Sequence, residues 1–481
     1  MVWLGDAVSN DGSLRTTINS VHFCADLQIV VYACQKAVTW LRKFIALAQT
    51  QMLPFAAGVV KAILPCLAMS VDDKLRALAD LANKDLMALI AESDLSAKPA
   101  APPASEPAAD AAGGEAGDGP APTQAPESPA SIGFDHGQML QVLTVQLLDD
   151  SVATRMATLS WFSMLHAKIP IQTFERIREI APALLKSLSD SADKVVRRDL
   201  KLLAELSTCT SDPPNVLEAQ EADAFFNSFI VDLLRLFSTD RELLEYRGSF
   251  IIRHLSTFVN AEKLYRALAG NLLQEEDLEF ANRMVQNLNL ILLTSPELHQ
   301  LRADLKNMST PESKSLFSVL YRTWCHNPVA TFSFCLLTQV YEHACELLSK
   351  FGALEVTVSF LVEVDKLIQL LESPIFTFLR LQLLEPQRYA YLVKALYGIL
   401  MLLPQSSAFY TLKNRLDSMP TIISSLQLLQ ADTKKLKSKS GDVRASIDFK
   451  ELGAHFDEVQ KHSVGAIANG HQTRGTRAQA L

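Results

Sequence analysis

Apolar residues in this chain recur at intervals of three and four, the spacing that lines one face of a helix, and not at the interval of two that marks a half-buried strand. Phe280, Met284, Val285, Leu288 and Leu292 form one such stripe. Ala183-Leu184-Leu185-Lys186-Ser187-Leu188-Ser189-Asp190 is followed by Val195, Val196 and Arg197, then by Leu200, Leu203 and Leu206. One period earlier, Gln146-Leu147-Leu148-Asp149-Asp150 precedes Thr154-Arg155 and then Leu159, Phe162 and Leu165. Arg155 and Arg197 lie 42 residues apart (197 − 155), the period of two-helix HEAT or armadillo units. Leu64-Pro65-Cys66-Leu67, Asp72-Asp73 and Arg76 supply a third copy. In each copy one helix presents apolar residues inward, an Asp or Ser caps the next, and the Arg lies near the turn, where it reaches a carboxylate. The pattern predicts an all-α chain, an α-solenoid of HEAT/armadillo-like helical hairpins.

Beyond residue 220 the period fades and helix punctuation takes over. Thr239-Asp240-Arg241-Glu242 fits a capping box, with the helix it opens ending at Gly248. Ser295-Pro296-Glu297, Thr310-Pro311-Glu312 and Ser373-Pro374 each place a cap residue before a proline at the first helical position.

Composition sharpens this picture. The 481 residues include 74 Leu but only 18 Gly, as helices require, since Gly in a helix costs about 1 kcal/mol relative to Ala. Of the formal charge of −8, half falls between Ala97 and Ser131, a stretch with five acids, one base, 12 Ala and 8 of the 21 Pro. That stretch has no large apolar side chain with which to offset the entropy of ordering, so it is expected to be disordered. The rest is nearly neutral, which excludes a strongly basic nucleic-acid binder. The organisation expected is an unmatched start (1–20), HEAT-like helices (21–96), the Ala/Pro-rich linker (97–131), further HEAT-like helices (132–212), a C-terminal helical scaffold domain (220–430) and a flexible polar tail (431–481). Lys434, Lys435, Lys437 and Lys439 in that tail read as a solvated cluster, with contact to anionic lipid as the alternative.

The search for chemistry is mostly negative. The chain has no phosphate loop, no dinucleotide fingerprint, no zinc-protease motif and no nucleophile elbow, so neither an enzyme nor a cofactor or metal site is expected. Cys325-His326 are adjacent, hence about 100° apart on a helix, and cannot face one another as a dyad. Glu275, Glu276, Asp277 and Glu279 sit where a helix begins and complement its positive end. The seven cysteines are odd in number and lie in apolar runs without a C-x-x-C, which reads as buried free thiols. No apolar stretch is expected to reach the roughly 18 residues of a membrane span, and the chain reads as cytosolic.

Polar and aromatic residues are concentrated within apolar helices at Tyr321-Arg322-Thr323-Trp324-Cys325-His326-Asn327, Tyr341-Glu342-His343 and Phe376 to Glu385. Tyr, Trp and Arg are enriched at binding hot spots, which makes Tyr321, Arg322, Trp324, His326, Tyr341, Phe376, Phe378, Arg380 and Leu384 candidates for a partner or oligomer interface. A helical core with satisfied buried hydrogen bonds accounts for them equally well.

Several blocks here resemble the C-terminal region of the vacuole-morphology scaffold family Vac-fourteen. They are Phe237-Ser238-Thr239-Asp240-Arg241 with Arg247-Gly248, Glu276-Asp277-Leu278-Glu279-Phe280-Ala281, Met284 to Asn289, Trp324-Cys325-His326-Asn327, Leu371-Glu372-Ser373-Pro374, Leu379 to Pro386 and Leu402 to Phe409. They run in order from about 225 to 416, with looser similarity over about 27–92 and 138–210. The resemblance implies a non-enzymatic scaffold that forms a homo-oligomer through its C-terminal region. It also implies partners, a Sac-type phosphoinositide phosphatase and a phosphatidylinositol 3-phosphate 5-kinase, and a role in controlling phosphatidylinositol 3,5-bisphosphate at endosomal and vacuolar membranes. Members carry a long upstream HEAT array associated with kinase contact, and this chain enters near its end, so the phosphatase and self-association are the partners more directly implied. A generic HEAT-repeat adaptor in vesicle trafficking is the alternative.

Overall fold

Every regular element among the described residues is a helix, and in the longer ones the buried side chains recur at helical spacing. A computed structural model describes residues 31–69, 72–93, 134–207, 216–352, 356–419 and 447–462. Residues 1–20, the 97–131 linker, Lys434 to Lys439, Cys24 and Cys209 lie outside them. The chain divides into two compact units, Met1–Asp223 and Ala224–Leu481.

The first unit contains α1 (residues 31–48), a 3-10 turn (Gln49–Phe55), α2 (Ala56–Leu67), α3 (Asp73–Glu92), α4 (His136–Gln146), α5 (Val152–Lys168), a short α6 (Pro170–Glu175), α7 (Ile177–Ser187) and α8 (Asp193–Leu206). In α8 the buried Val195, Val196, Asp199, Leu200, Leu203 and Leu206 fall on one face. Asp72, Asp135 and Ser151 cap α3, α4 and α5 by accepting backbone N–H groups. Helix α2 packs on α3, α4 and α5, and α5 packs on α8.

Polar links recur one repeat apart. Arg155 Nε lies 2.5 Å from Asp190 Oδ2 and its Nη2 donates to Asp190 Oδ1 at 3.1 Å, the carboxylate contact that the repeat pattern anticipates. Arg42 pairs with Asp85 at 2.7 Å and Ser163 donates to Glu205 at 2.7 Å. Trp161 Nε1 donates to Asn83 Oδ1 at 2.7 Å across 78 positions. Without the 40 residues of 94–133 this separation is 38, the length of one repeat.

One expectation fails here. By length and composition Val31–Leu67 is apolar enough to cross a membrane. A scan for unbroken apolar runs misses it because Lys36, Arg42, Lys43 and Lys61 interrupt the sequence. Its α2 half is a core helix: Ala56, Ala57, Val59, Val60, Ile63, Leu64 and Leu67 are all buried against protein.

Asp199 is fully buried in α8, paired with the Ser187 hydroxyl, and burial pushes its carboxyl well above the usual range. A carboxyl whose folded pKa is raised contributes stability at low pH that is lost as pH rises. Asp199→Asn is therefore expected to stabilise the first unit at neutral pH by about 1–2 kcal/mol. In urea unfolding followed across pH, this gain should shrink on acidification.

The second unit begins in α9 (Val216–Thr239) and continues through α10 (Arg241–Leu243), a π-turn (Leu244–Gly248), α11 (Ser249–Phe258), α12 (Ala261–Leu272), α13 (Leu278–Thr294), α14 (His299–Asn307), α15 (Pro311–Trp324), α16 (Pro328–Leu337) and α17 (Tyr341–Phe351). After these come α18 (Val358–Leu371), α19 (Thr377–Gln382), α20 (Ala390–Leu402), α21 (Ser407–Asp417) and α22 (residues 449–462). The stack is regular: α12 packs on α15, α13 on α16, α17 on α20 and α18 on α21. The stripe Phe280, Met284, Val285, Leu288 and Leu292 is wholly buried, as its spacing predicts.

Three local readings are corrected. Asp240, not Thr239, caps α10, because the Thr239 hydroxyl turns back to the Arg235 carbonyl at 2.9 Å. Gly248 does not end a helix, since the π-turn carries the rod from α10 into α11. Gly248 has a helical φ of −54°, so no left-handed turn calls for it, and a Cβ there would meet the end of the Leu244 side chain at 2.8 Å. Residues 449–462 are a docked helix and not part of a flexible tail, because Leu452 and Phe456 are buried on the unit. The three prolines sit in the first turn as read, but only Thr310 caps, in a capping box with Ser313; Ser295 and Ser373 make no side-chain cap hydrogen bond. Of the described cysteines, Cys325 and Cys335 are buried free thiols, and Cys34, Cys66 and Cys345 are half-buried.

Candidate functional site

The polar and aromatic cluster at the end of α15 is a hydrogen-bonded core. Asn327 caps α16 by accepting from Ala330 N–H at 2.7 Å, and its amide donates to Asn282 at 2.8 Å and Glu363 at 2.7 Å. One side chain thereby ties α13, α16 and α18 together. Trp324 is fully buried, donates to Asn289 Oδ1 at 3.1 Å, and packs near the rings of Tyr265 and Phe334. The Tyr321 hydroxyl lies 2.6 Å from His343 Nε2, and His343 Nδ1 lies 3.0 Å from Glu346. Burial raises the Tyr321 phenol strongly, so it stays protonated.

The nine interface candidates separate into distinct groups. Tyr321, Trp324, Tyr341 and Phe376 are buried and are withdrawn, because a side chain without exposed area cannot meet a partner in the folded unit. The Tyr341 hydroxyl donates to Gln382, which in turn donates to Gln339 at 3.2 Å. Arg380 donates to the carbonyls of Leu371 and Ser373 and so closes the turn after α18. Phe378 lies under Lys306, whose Nζ is 3.8 Å from the ring centroid. Arg322 pairs with Glu451 of α22, and burial, followed by the charge of His455 on the same helix, lowers the pKa of His326. Leu384 is 42% exposed and is the one apolar candidate left on the surface.

A second surface escapes reading by residue type. Tyr391, Lys394, Tyr397 and Met401 occupy one face of α20, and all four are exposed, Met401 at 78% and Tyr391 at 48%. The opposite face, with Leu392, Ala395, Leu396 and Ile399, is buried. This helix is therefore apolar on both faces, with Lys394 set among the exposed apolar side chains. Leu381 on α19 and Tyr410 on α21 are exposed as well. The signal was present in the sequence as a helix whose apolar residues exceed what one core stripe needs.

Among the described residues no three His, Cys, Asp or Glu side chains are grouped to hold a metal ion. Burial lowers the pKa of His343, against the opposing effect of Glu346, and lowers those of His136, His166 and His326 too. Each is held neutral in the fold, whereas the unfolded chain takes up the proton near pH 6.5. Stability is therefore lost as pH falls below that value. The melting temperature is expected to drop between about pH 7 and about pH 5.5, and less steeply in His343→Gln; identical slopes would show that His343 takes no part.

Residues 241–419 match the family model described as "Vacuolar protein 14 C-terminal Fig4p binding", which spans α10 to the end of α21. The chain is 40% identical over 387 residues to a Protein VAC14 homolog of Arabidopsis thaliana, covering 80% of this chain and 45% of that protein. It is 39% identical over 388 residues to a Protein VAC14 homolog of Schizosaccharomyces pombe, covering 80% of this chain and 43% of that protein. With the Vacuole morphology and inheritance protein 14 of Saccharomyces cerevisiae the identity is 29% over 448 residues, covering 91% of this chain and 45% of that protein. The chain thus spans less than half the length of these relatives. An all-helical stack carrying that C-terminal region, with this similarity along most of its length, belongs to the Vac14 family.

Proposed function

We propose that this chain is part of a non-catalytic scaffold that self-associates and holds a Sac-type phosphoinositide phosphatase near a phosphatidylinositol 3-phosphate 5-kinase, and so regulates phosphatidylinositol 3,5-bisphosphate on endosomal or vacuolar membranes. The match of residues 241–419 to a Fig4p-binding region carries this reading. The exposed face of α20 lies inside that region and supplies the aromatic contact area that binding hot spots use. A stack of paired helices suits the role, since each repeat contacts its neighbours and leaves an extended surface for partners.

Two measurements on the full chain test the proposal. Light scattering at micromolar concentration is expected to return a multiple of the 53.1 kDa chain mass; a strict monomer would contradict self-association. Mixed with the phosphatase, the chain is expected to co-elute with it from a sizing column. A generic trafficking adaptor would leave the phosphatase in its own peak.

A further inference from the structure

We propose that α22 is a releasable strap, an intramolecular helical ligand for a groove formed by α15 and α17. This goes beyond the proposed function, because α22 lies outside the matched residues 241–419 and the groove is distinct from the face of α20.

The strap reads as a helix written to be recognised along one face. Asp448 caps it by accepting from the Lys450 and Glu451 N–H groups at 3.0 and 3.1 Å. Phe449, Leu452, Gly453, Phe456, Asp457 and Gln460 then fall at i, i+3, i+4, i+7, i+8 and i+11, the spacing of helices that dock in grooves. Phe449 packs against the rings of Phe317 and His343, and Phe456 against Phe351. Gly453 allows the closest approach: a Cβ there would lie 3.3 Å from Lys350 Nζ and 3.5 Å from His343 Cε1.

The rim is matched in charge. Lys350 donates to the Gly453 carbonyl and to Asp457 Oδ2, both at 2.7 Å, and Arg322 pairs with Glu451. Gln460 donates to the Cys325 carbonyl at 2.6 Å, satisfying an acceptor at the C-terminal end of α15. In these ion pairs the basic side chains are on the groove and the acidic ones on the strap, as in a receptor and its peptide.

Along the chain, 27 residues separate position 419 from 447, and at about 3.3–3.6 Å each they span at most about 90–97 Å. No hairpin partner among the described residues holds α22 in register, so its seat depends on the groove contacts. Docking in cis is then a local equilibrium that opens without unfolding the stack.

The test uses a fluorescent peptide of residues 447–462, followed by anisotropy against the full chain. The chain carrying Leu452→Asp and Phe456→Asp should have an empty groove and bind the peptide saturably, at least about tenfold more tightly than the wild-type chain does. Adding Lys350→Glu to that variant should abolish binding, and a peptide with Asp457→Lys should restore it. Equal binding to both chains, or none to a variant that keeps its helical signal, overturns the proposal. Hydrogen exchange on the unmodified chain tests the strap independently. Residues 449–462 should exchange faster than α15–α17, and equal protection would make α22 an ordinary core helix.

Discussion

Arg302→Met is expected to lower the unfolding free energy of the C-terminal unit by about 2–5 kcal/mol, the largest effect of any charged residue in it. The guanidinium is buried, and its Nη1 donates to the carbonyls of Leu292 at 2.8 Å and Ser295 at 2.7 Å, where α13 ends. Both carbonyls belong to the orphaned C-terminal turn of a helix, and methionine fills the space without supplying a donor. Burial lowers the pKa of the arginine, yet the group remains charged, so the two carbonyls also hold its charge. Arg302→Lys should recover part of the loss, since one ammonium reaches both acceptors only at poorer geometry. The same clamp recurs 78 residues later, where Arg380 serves Leu371 and Ser373 (380 − 302 and 373 − 295 are both 78). Arg380 is less buried, so Arg380→Met should cost about 1–2 kcal/mol. Urea unfolding midpoints measure both, and a change within about 0.5 kcal/mol at Arg302 would refute the clamp.

Trp324→Ala is expected to destabilise the same unit by about 3–5 kcal/mol, the cost of emptying a fully enclosed aromatic site. Trp324→Phe should cost less, because Asn289 Oδ1 keeps the Ser333 hydroxyl as a donor at 3.0 Å after the indole N–H is lost. These variants separate the core role from a hot-spot role. If Trp324 is core, thermal stability falls in step with side-chain volume while the phosphatase affinity of the folded fraction stays unchanged. A stable Trp324→Ala chain with lost affinity would reverse that assignment.

How far the sequence could be read depended on the range of each interaction. The caps at Asp72 and Thr310 were legible because they involve residues two or three positions apart, whereas the cap that the repeat implied before α8 is absent, its N-cap being Ala192. The buried stripe of α13 was legible because helical periodicity is local; the repeat pattern placed Arg155 at a turn, where it meets Asp190, but its counterpart Arg76 pairs with Asp73 in its own helix. Tyr321 and Trp324 were ambiguous, since a buried hydrogen bond and an exposed hot spot use the same residue types. Only partners 22 and 35 residues away, His343 and Asn289, decide between them. Gly248 misled because glycine is the usual mark of a left-handed helix end, whereas here its φ of −54° continues the helix. The paired clamps of Arg302 and Arg380 were present as Ser-Pro followed by Arg seven positions after the Ser. That period of 78 spans two hairpins and is lost when single hairpins are compared. Helix α22 was hidden by its polar surroundings, although Asp448 with Phe449, Leu452 and Phe456 spells a capped amphipathic helix.

The central claim is that this stack acts by holding a partner on its C-terminal unit. Titration of the Sac-type phosphatase onto the immobilised full chain tests it most directly, with the Tyr391→Asp/Met401→Asp chain alongside. Both substituted side chains are exposed, so the fold and its melting temperature should be retained. The account predicts saturable binding to the unmodified chain, weakened at least about tenfold by the double substitution. Absence of phosphatase binding to the folded chain would contradict it.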